Sequence, residues 1–125
     1  MIGSGMQISK INDQFSVSPQ IDYGDVKTLA DSGYTCIINC RPEGEEAAQP
    51  LSKALLKAAQ KAGLHYHHIP FKPGRASAED RLRFAVAVEQ SGGPVLAFCR
   101  SGMRAKSLYN SITKGPGFFA RLFGK

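Results

Sequence analysis

The stretch Phe98-Cys99-Arg100-Ser101-Gly102-Met103-Arg104 constrains this chain more than any other. The apolar run Val95-Leu96-Ala97-Phe98 precedes it and Ala105-Lys106-Ser107-Leu108-Tyr109 follows, so it reads as strand, tight loop, helix. It sets Cys99 directly before a helix N-terminus, where unpaired backbone N–H groups converge. Such a position favours a thiolate over a thiol. The same N–H groups can hold the oxygens of a bound oxyanion, and Gly102 permits the close turn that such a cradle needs. Arg104 adds a planar fork suited to sulfate, thiosulfate or phosphate oxygens. Cys99 and Arg104 are therefore the candidate catalytic pair. Arg100, Ser101, Gly102, Met103 and Arg104 form the candidate anion-binding loop.

The rest of the chain supplies strands and helices in alternation. Residues 7–11 and 15–17 read as short strands joined by a turn at Asn12-Asp13. Residues 19–32 read as a helix, with Ile21, Val26, Leu29 and Ala30 on its apolar side and Gly33 ending it. Residues 35–39 form a compact apolar strand expected to be buried on both faces. Residues 51–62 predict a helix with the stripe Leu51, Leu55, Ala58, Ala59 and Ala62, stopped at Gly63. A strand over 64–69 closes at Pro70, and a helix over 78–90 is expected to bury Leu82, Ala85, Val86 and Val88. This order implies a single α/β domain, a mostly parallel central sheet flanked by helices. Its expected extent is 7–114, with 1–6 a flexible lead or expression remnant and 115–125 an apolar, basic tail. Right-handed crossovers bring the parallel strands' C-terminal ends to one edge, where ligands bind in open sheets. Asn39-Cys40-Arg41, residues 70–76 and Cys99–Arg104 should meet there around one pocket.

Several segments are also shared with a known family. They are Phe15-Ser16-Val17-Ser18-Pro19-Gln20, Ile37-Ile38-Asn39-Cys40-Arg41-Pro42-Glu43-Gly44-Glu45-Glu46, Gln49-Pro50, His68-Ile69-Pro70 and Cys99-Arg100-Ser101-Gly102. On these the chain resembles the beta-lactamase hydrolase-like protein family, in its phosphatase-like domain. The resemblance implies a small fold like that of dual-specificity and tyrosine phosphatases. It also implies sulfur chemistry and a partner, since members occur alone or fused to metallo-hydrolase domains of the persulfide-oxidising kind.

Two chemistries share a loop of this type, and the spacing discriminates between them. Tyrosine and dual-specificity phosphatases carry His-Cys, five residues, then Arg. Rhodanese-type sulfurtransferases often carry Cys-Arg-x-Gly-x-Arg, with four residues between, as Cys99 and Arg104 do here. One residue fewer shortens the cradle's contour by ~3.8 Å. Phe98 stands where phosphatases place their histidine. Phosphate-ester cleavage also needs a general acid for the leaving alkoxide, and the loop Phe71-Lys72-Pro73-Gly74-Arg75-Ala76 contains none. Glu79 and Asp80 follow Ser77 in a capping-box pattern and are assigned to a helix start. Sulfite and thiolates leave unassisted, so sulfane-sulfur transfer leads and phosphomonoester hydrolysis follows. A non-catalytic anion- or partner-binding module is the third reading. The expected ligand is a small anion: a persulfide, thiosulfate or a phosphate ester.

Accessory roles fall to three residues. Arg41 opens an acid-rich segment and can assist anion binding or orient the cradle through the acids. Cys40 follows a neighbouring strand end and can approach Cys99 as a resolving thiol, or be a small buried residue. Arg75, with Lys72, lies in the loop expected to overhang the site. Net charge is +6, enough for a basic mouth that attracts small anions. No motif or aromatic-basic interleaving points to nucleic acid. Three cysteines without framework spacing point to reduced thiols in the cytoplasm. No apolar run approaches the ~20 residues of a membrane span. His65, His67 and His68 lack a third ligand with metal spacing, so neither metal nor cofactor is expected.

Overall fold

Among the described residues five short strands and four helices follow the alternation in the sequence. The computed structural model describes residues 6–114. The strands are β1 (Ser9–Asn12), β2 (Phe15–Ser18), β3 (Cys36–Asn39), β4 (His65–His68) and β5 (Val95–Phe98). The helices are α1 (Tyr23–Asp31), α2 (Ser52–Ala62), α3 (Ala78–Gln90) and α4 (Met103–Thr113). They build one sheet in the order β1-β2-β5-β3-β4. Only β1 runs antiparallel; β2, β5, β3 and β4 are mutually parallel. The expected lead lies almost wholly, and the expected tail wholly, outside the described residues.

Each central strand divides its side chains between two cores, as the two-residue pleat requires. On β3 and just past it, Cys36, Ile38 and Cys40 enter one cluster, while Ile37 enters the other. On β5 and just past it, Val95, Ala97 and Cys99 join the first, and Leu96 and Phe98 the second. Phe84 and Ala87 of α3 and Ala105 and Leu108 of α4 complete the first cluster; Val26, Leu29, Leu55 and Ala59 of α1 and α2 complete the second. Phe15 anchors the first, stacked on Tyr109 with centroids 3.8 Å apart and edge-on to Phe84 at 5.9 Å. Helices thus cover both faces, and the sheet's C-terminal edge stays open for a site.

Several sequence expectations shift. The helix expected from 19 begins at Tyr23, because Asp25 Oδ2 accepts from Asp22 N at 3.0 Å and fixes the start there. Leu51 is 58% exposed, since it sits at the N-cap of α2 rather than in its stripe. On α3 Ala85 is buried and Val88 packs against the core as expected, but Leu82 is 62% exposed and Phe84 takes the core position in its place. The β1–β2 turn falls on Asp13-Gln14, one residue later than expected, with Asn12 paired to Phe15. Glu79 and Asp80 do start α3: Asp80 N donates to Ser77 Oγ at 3.0 Å and Ser77 N to Asp80 Oδ2 at 2.9 Å.

Candidate active site

Beyond the C-terminal end of β5 the chain wraps around its own cysteine. Cys99 is 1% exposed, and its N–H reaches Ser18 O of β2 at 3.4 Å. Gly102 N donates to Cys99 Sγ at 3.1 Å. That bond exists because Gly102, the N-cap of α4, takes a left-handed conformation with φ +92°, open to glycine at little cost. Met103 N donates to Ser101 Oγ at 3.3 Å, so Ser101 helps to shape the exposed rim. The sulfur therefore lies against one backbone N–H at the N-cap of α4.

The two loop arginines are held from outside the loop. Arg104 Nη1 and Nη2 donate to Glu45 Oε2 and Oε1 at 3.1 and 3.2 Å, and Nη1 also to Phe71 O at 3.1 Å. Arg100 Nη2 donates to Glu46 Oε2 at 3.1 Å. Both glutamates are in turn held by Arg41, which is 1% exposed: Nε on Glu45 Oε1 and Nη2 on Glu46 Oε1, each at 2.8 Å. Arg41 Nη1 donates to Gln20 Oε1 at 2.9 Å, so its fork is filled. His68 Nε2 donates to the Arg41 carbonyl at 2.8 Å, which ties β4 to the same centre. Burial pulls the Arg41 pKa down, but hydrogen bonds and charge from Glu46 and Glu45 push it further up. Burial raises the Glu45 carboxyl, and hydrogen bonds from Arg104 and Arg41 outweigh that and hold it low. Of the two roles expected for Arg41, orientation of the cradle through the acids matches this geometry.

Cys40 lies where its strand predicts. Asn39 of β3 pairs with Phe98 of β5, and Cys40 N donates to Phe98 O at 2.9 Å. Cys40 and Cys99 thus follow paired residues and enter the same core cluster. Burial, then the neighbouring Cys99 charge, pushes the Cys40 thiol up. Burial alone pushes the Cys36 thiol up to about 12. All three cysteines are free.

Arg75 does not join this group. Its N–H closes a turn onto Lys72 O at 2.9 Å, and both basic side chains are left exposed. Phe71, Pro73, Gly74 and Ala76 of that loop face instead a cavity of about 580 Å³ beside α4, with Arg81, Arg100, Ser101 and Arg104 in its lining. Of the three strand-end loops expected around one pocket, two line this cavity, with Phe71 O rather than Arg75 as the contact; Asn39-Cys40-Arg41 does not line it and meets the others through the Arg41 bonds to Glu45 and Glu46. Sequence reasoning missed Gln20, Arg81 and the Phe71 carbonyl. None carries a local signal, because each acts through a tertiary contact. Among the described residues no three His, Cys, Asp or Glu side chains gather as metal ligands, and no helix is long and apolar enough to cross a membrane.

A family model for the beta-lactamase hydrolase-like protein, phosphatase-like domain, matches residues 7–115. The chain belongs to that family. The beta-lactamase hydrolase-like protein of Xylella fastidiosa strain Temecula1 is 38% identical over 104 residues, 83% of this chain and 24% of the relative. The chain thus spans about a quarter of the curated relatives it matches. Among solved structures, a proposed phosphatase from Neisseria meningitidis superposes with a TM-score of 0.74 at 30% identity, covering 85% of this chain and 77% of that one. The core catalytic domain of the S. cerevisiae PP-IP phosphatase SIW14 superposes with a TM-score of 0.65 at 15% identity, over 86% of this chain and 64% of that one. This phosphatase-like domain therefore has the fold of dual-specificity and tyrosine phosphatases, around a loop with four residues between Cys99 and Arg104.

Proposed function

We propose that Cys99 is the nucleophile of a sulfurtransferase built on the phosphatase-like fold. The observation that carries this reading is the state of the acids around the loop. Glu45 and Glu46 are bound to arginines, Asp80 is engaged in the α3 cap, and among the described residues no carboxyl group lines the cavity. A phosphate ester of an ordinary alcohol would find no proton for its leaving group here. A sulfur donor needs none.

In the first step the Cys99 thiolate attacks the outer sulfur of thiosulfate or of a small persulfide. The S–S bond of the donor breaks, sulfite or a thiolate leaves with the electron pair, and Cys99 persulfide remains. In the second step an acceptor thiolate or cyanide attacks the terminal sulfur and the Cys99 thiolate is regenerated. Division into two steps is the usual gain of covalent catalysis. The Gly102 N–H and Arg104 hold the charged intermediate. A persulfide-oxidising metallo-hydrolase domain, as the family supplies by fusion, is the partner that would consume the product. The free cysteines fit a reducing cytoplasm.

Hydrolysis of a phosphomonoester is the second reading, favoured by the likeness to solved phosphatases. One paired assay separates the two: turnover of thiosulfate or a persulfide against hydrolysis of an aryl phosphate, with Cys99→Ser as control. An aryl phosphate needs little leaving-group protonation, so it gives hydrolysis its best chance. The expected result is Cys99-dependent sulfur turnover with a mass gain of about 32 Da after donor treatment. Cys99-dependent phosphate release without that mass gain overturns the proposal. Anion binding that survives Cys99→Ser, with neither turnover, would make the domain a binding module.

A further inference from the structure

The cavity beside the loop is too large for an inorganic anion alone. At about 580 Å³ it falls within the ~300–1,000 Å³ range of sites for whole small molecules. Its lining changes character with distance from the loop. Arg100, Ser101 and Arg104 stand at the loop end, Phe71 and Leu108 are apolar, and Arg81 of α3 contributes with Ser111 of α4. Ser111 lies just over two turns along α4 from Met103, roughly 12 Å at ~1.5 Å per residue.

The three arginines of this lining differ in how they are neutralised. Arg104 is paired with Glu45, and Arg100 with Glu46. Arg81 Nη2 donates only to the Ser111 hydroxyl, at 2.7 Å, and makes no ion pair among the described residues. With no acid in the lining, Arg81 is, among the described residues, a cation without a counter-charge, at the side of the cleft away from Arg100, Ser101 and Arg104. A hydroxyl is a weak partner for a guanidinium, and a carboxylate that meets the fork with two bonds displaces it favourably.

We infer that this cavity binds an elongated substrate with an acid at each end. The reacting anionic group enters the loop, an apolar spacer lies along Phe71 and Leu108, and Arg81 takes a carboxylate or equivalent second anion. The inference rests on the anion-loop reading above and names the substrate class. It holds whether the reacting atom is sulfur or phosphorus.

The test uses binding, so it does not depend on turnover. Calorimetric Kd values on the Cys99→Ser protein would be measured for methanesulfonate and for α,ω-sulfocarboxylates of increasing chain length. The sulfonate stands in for the reacting anion and the carboxylate for the second one. Affinity is expected to rise with spacer length to an optimum. Arg81→Gln should weaken the best sulfocarboxylate by roughly tenfold, the usual scale of a charge-assisted hydrogen bond, and leave methanesulfonate within twofold. Arg81→Lys should lose less. Methanesulfonate binding with no length dependence, or with an Arg81→Gln loss equal for both ligands, overturns the inference but spares the anion loop. Absence of any sulfonate binding removes the anion loop and the inference together.

Discussion

Substitution of Gly102 by alanine tests whether the loop's backbone, rather than its side chains, holds the nucleophile. A Cβ at Gly102 would stand 3.2 Å from both the carbonyl carbon and the carbonyl oxygen of Ser18. Ser18 closes β2, in register with Phe98 of β5, so these backbone atoms cannot rotate away. Two costs add. The left-handed conformation at φ +92° costs an L-residue about 1–2 kcal/mol. The overlap forces a shift of a few tenths of an ångström, and overpacking of this kind costs about 1–3 kcal/mol. Gly63, the C-cap of α2 at φ +80°, has nothing within 4 Å of a built Cβ and provides the control. In urea unfolding, Gly63→Ala should therefore lose about 1–2 kcal/mol, and Gly102→Ala about 2–5 kcal/mol. The relaxation that relieves Gly102→Ala draws its N–H off Cys99 Sγ, now 3.1 Å away. Loss of such a preorganised donor should lower Cys99-dependent turnover on the order of 10–100-fold, while Gly63→Ala stays within twofold. Equal destabilisation of the two variants, or wild-type turnover in Gly102→Ala, would refute the reasoning.

Two further outcomes follow from the acids and the thiols. Glu45 is held below its ordinary carboxyl value by Arg104 and Arg41, against burial; Glu46 is held low by Arg41 and Arg100. A carboxylate depressed in the folded state stabilises the fold above its unfolded pKa, near 4.5 here, and that support is lost as pH falls through the folded value. Acidification below about pH 4.5 should thus weaken the wild type, and Glu45→Gln should flatten the loss. An identical pH dependence in thermal melts of the two proteins would count against the network. Hydrogen peroxide should oxidise the Cys99 thiolate to a sulfenic acid, from which the Cys40 thiol displaces water to close a disulfide. In-register neighbours on parallel strands lie ~4.8 Å apart, inside the ~4.4–6.8 Å Cα window of a disulfide. A Cys40–Cys99 linked peptide is expected by mass spectrometry; peroxide-treated protein carrying only sulfinic Cys99 would rule it out.

The legible parts of this fold were those in which local chemistry and tertiary role coincide. Val95–Phe98 is apolar because it is buried on both faces, and the Ser77–Asp80 box starts a helix wherever it occurs. The loop after Cys99 announced its conformation through Gly102. Phases of amphipathic helices were less legible: in Ala78–Gln90 both Leu82 and Phe84 fit an apolar stripe, and only packing against Phe15 selects Phe84. The acid-rich segment after Arg41 suggested that Arg41 orients the cradle through the acids, yet not which acid has its reach to Arg104 and which to Arg100. That reach depends on where β3 and β5 end relative to one another, which no local pattern encodes. Arg75 misled for the same reason, since a basic residue in an overhanging loop can turn to solvent within one tight turn.

The charge of the assembled network supports the choice of chemistry. Arg41, Arg100 and Arg104 bring three positive charges and Glu45 and Glu46 two negative ones, all joined by hydrogen bonds of 3.2 Å or less. The cluster therefore carries one net positive charge, and Arg104, 9% exposed at its side chain, links it to the loop. A Cys99 persulfide is a monoanion and balances that charge. A phosphocysteine is a dianion for most of the neutral range and would leave one negative charge beside Glu45, in a partly buried site where like charges repel strongly. Under the proposed function, phosphoryl transfer on this loop is opposed unless Glu45 releases Arg104 or takes up a proton. Its two arginine partners oppose both, since they fix its position and favour its charged form. Sulfur transfer requires neither rearrangement.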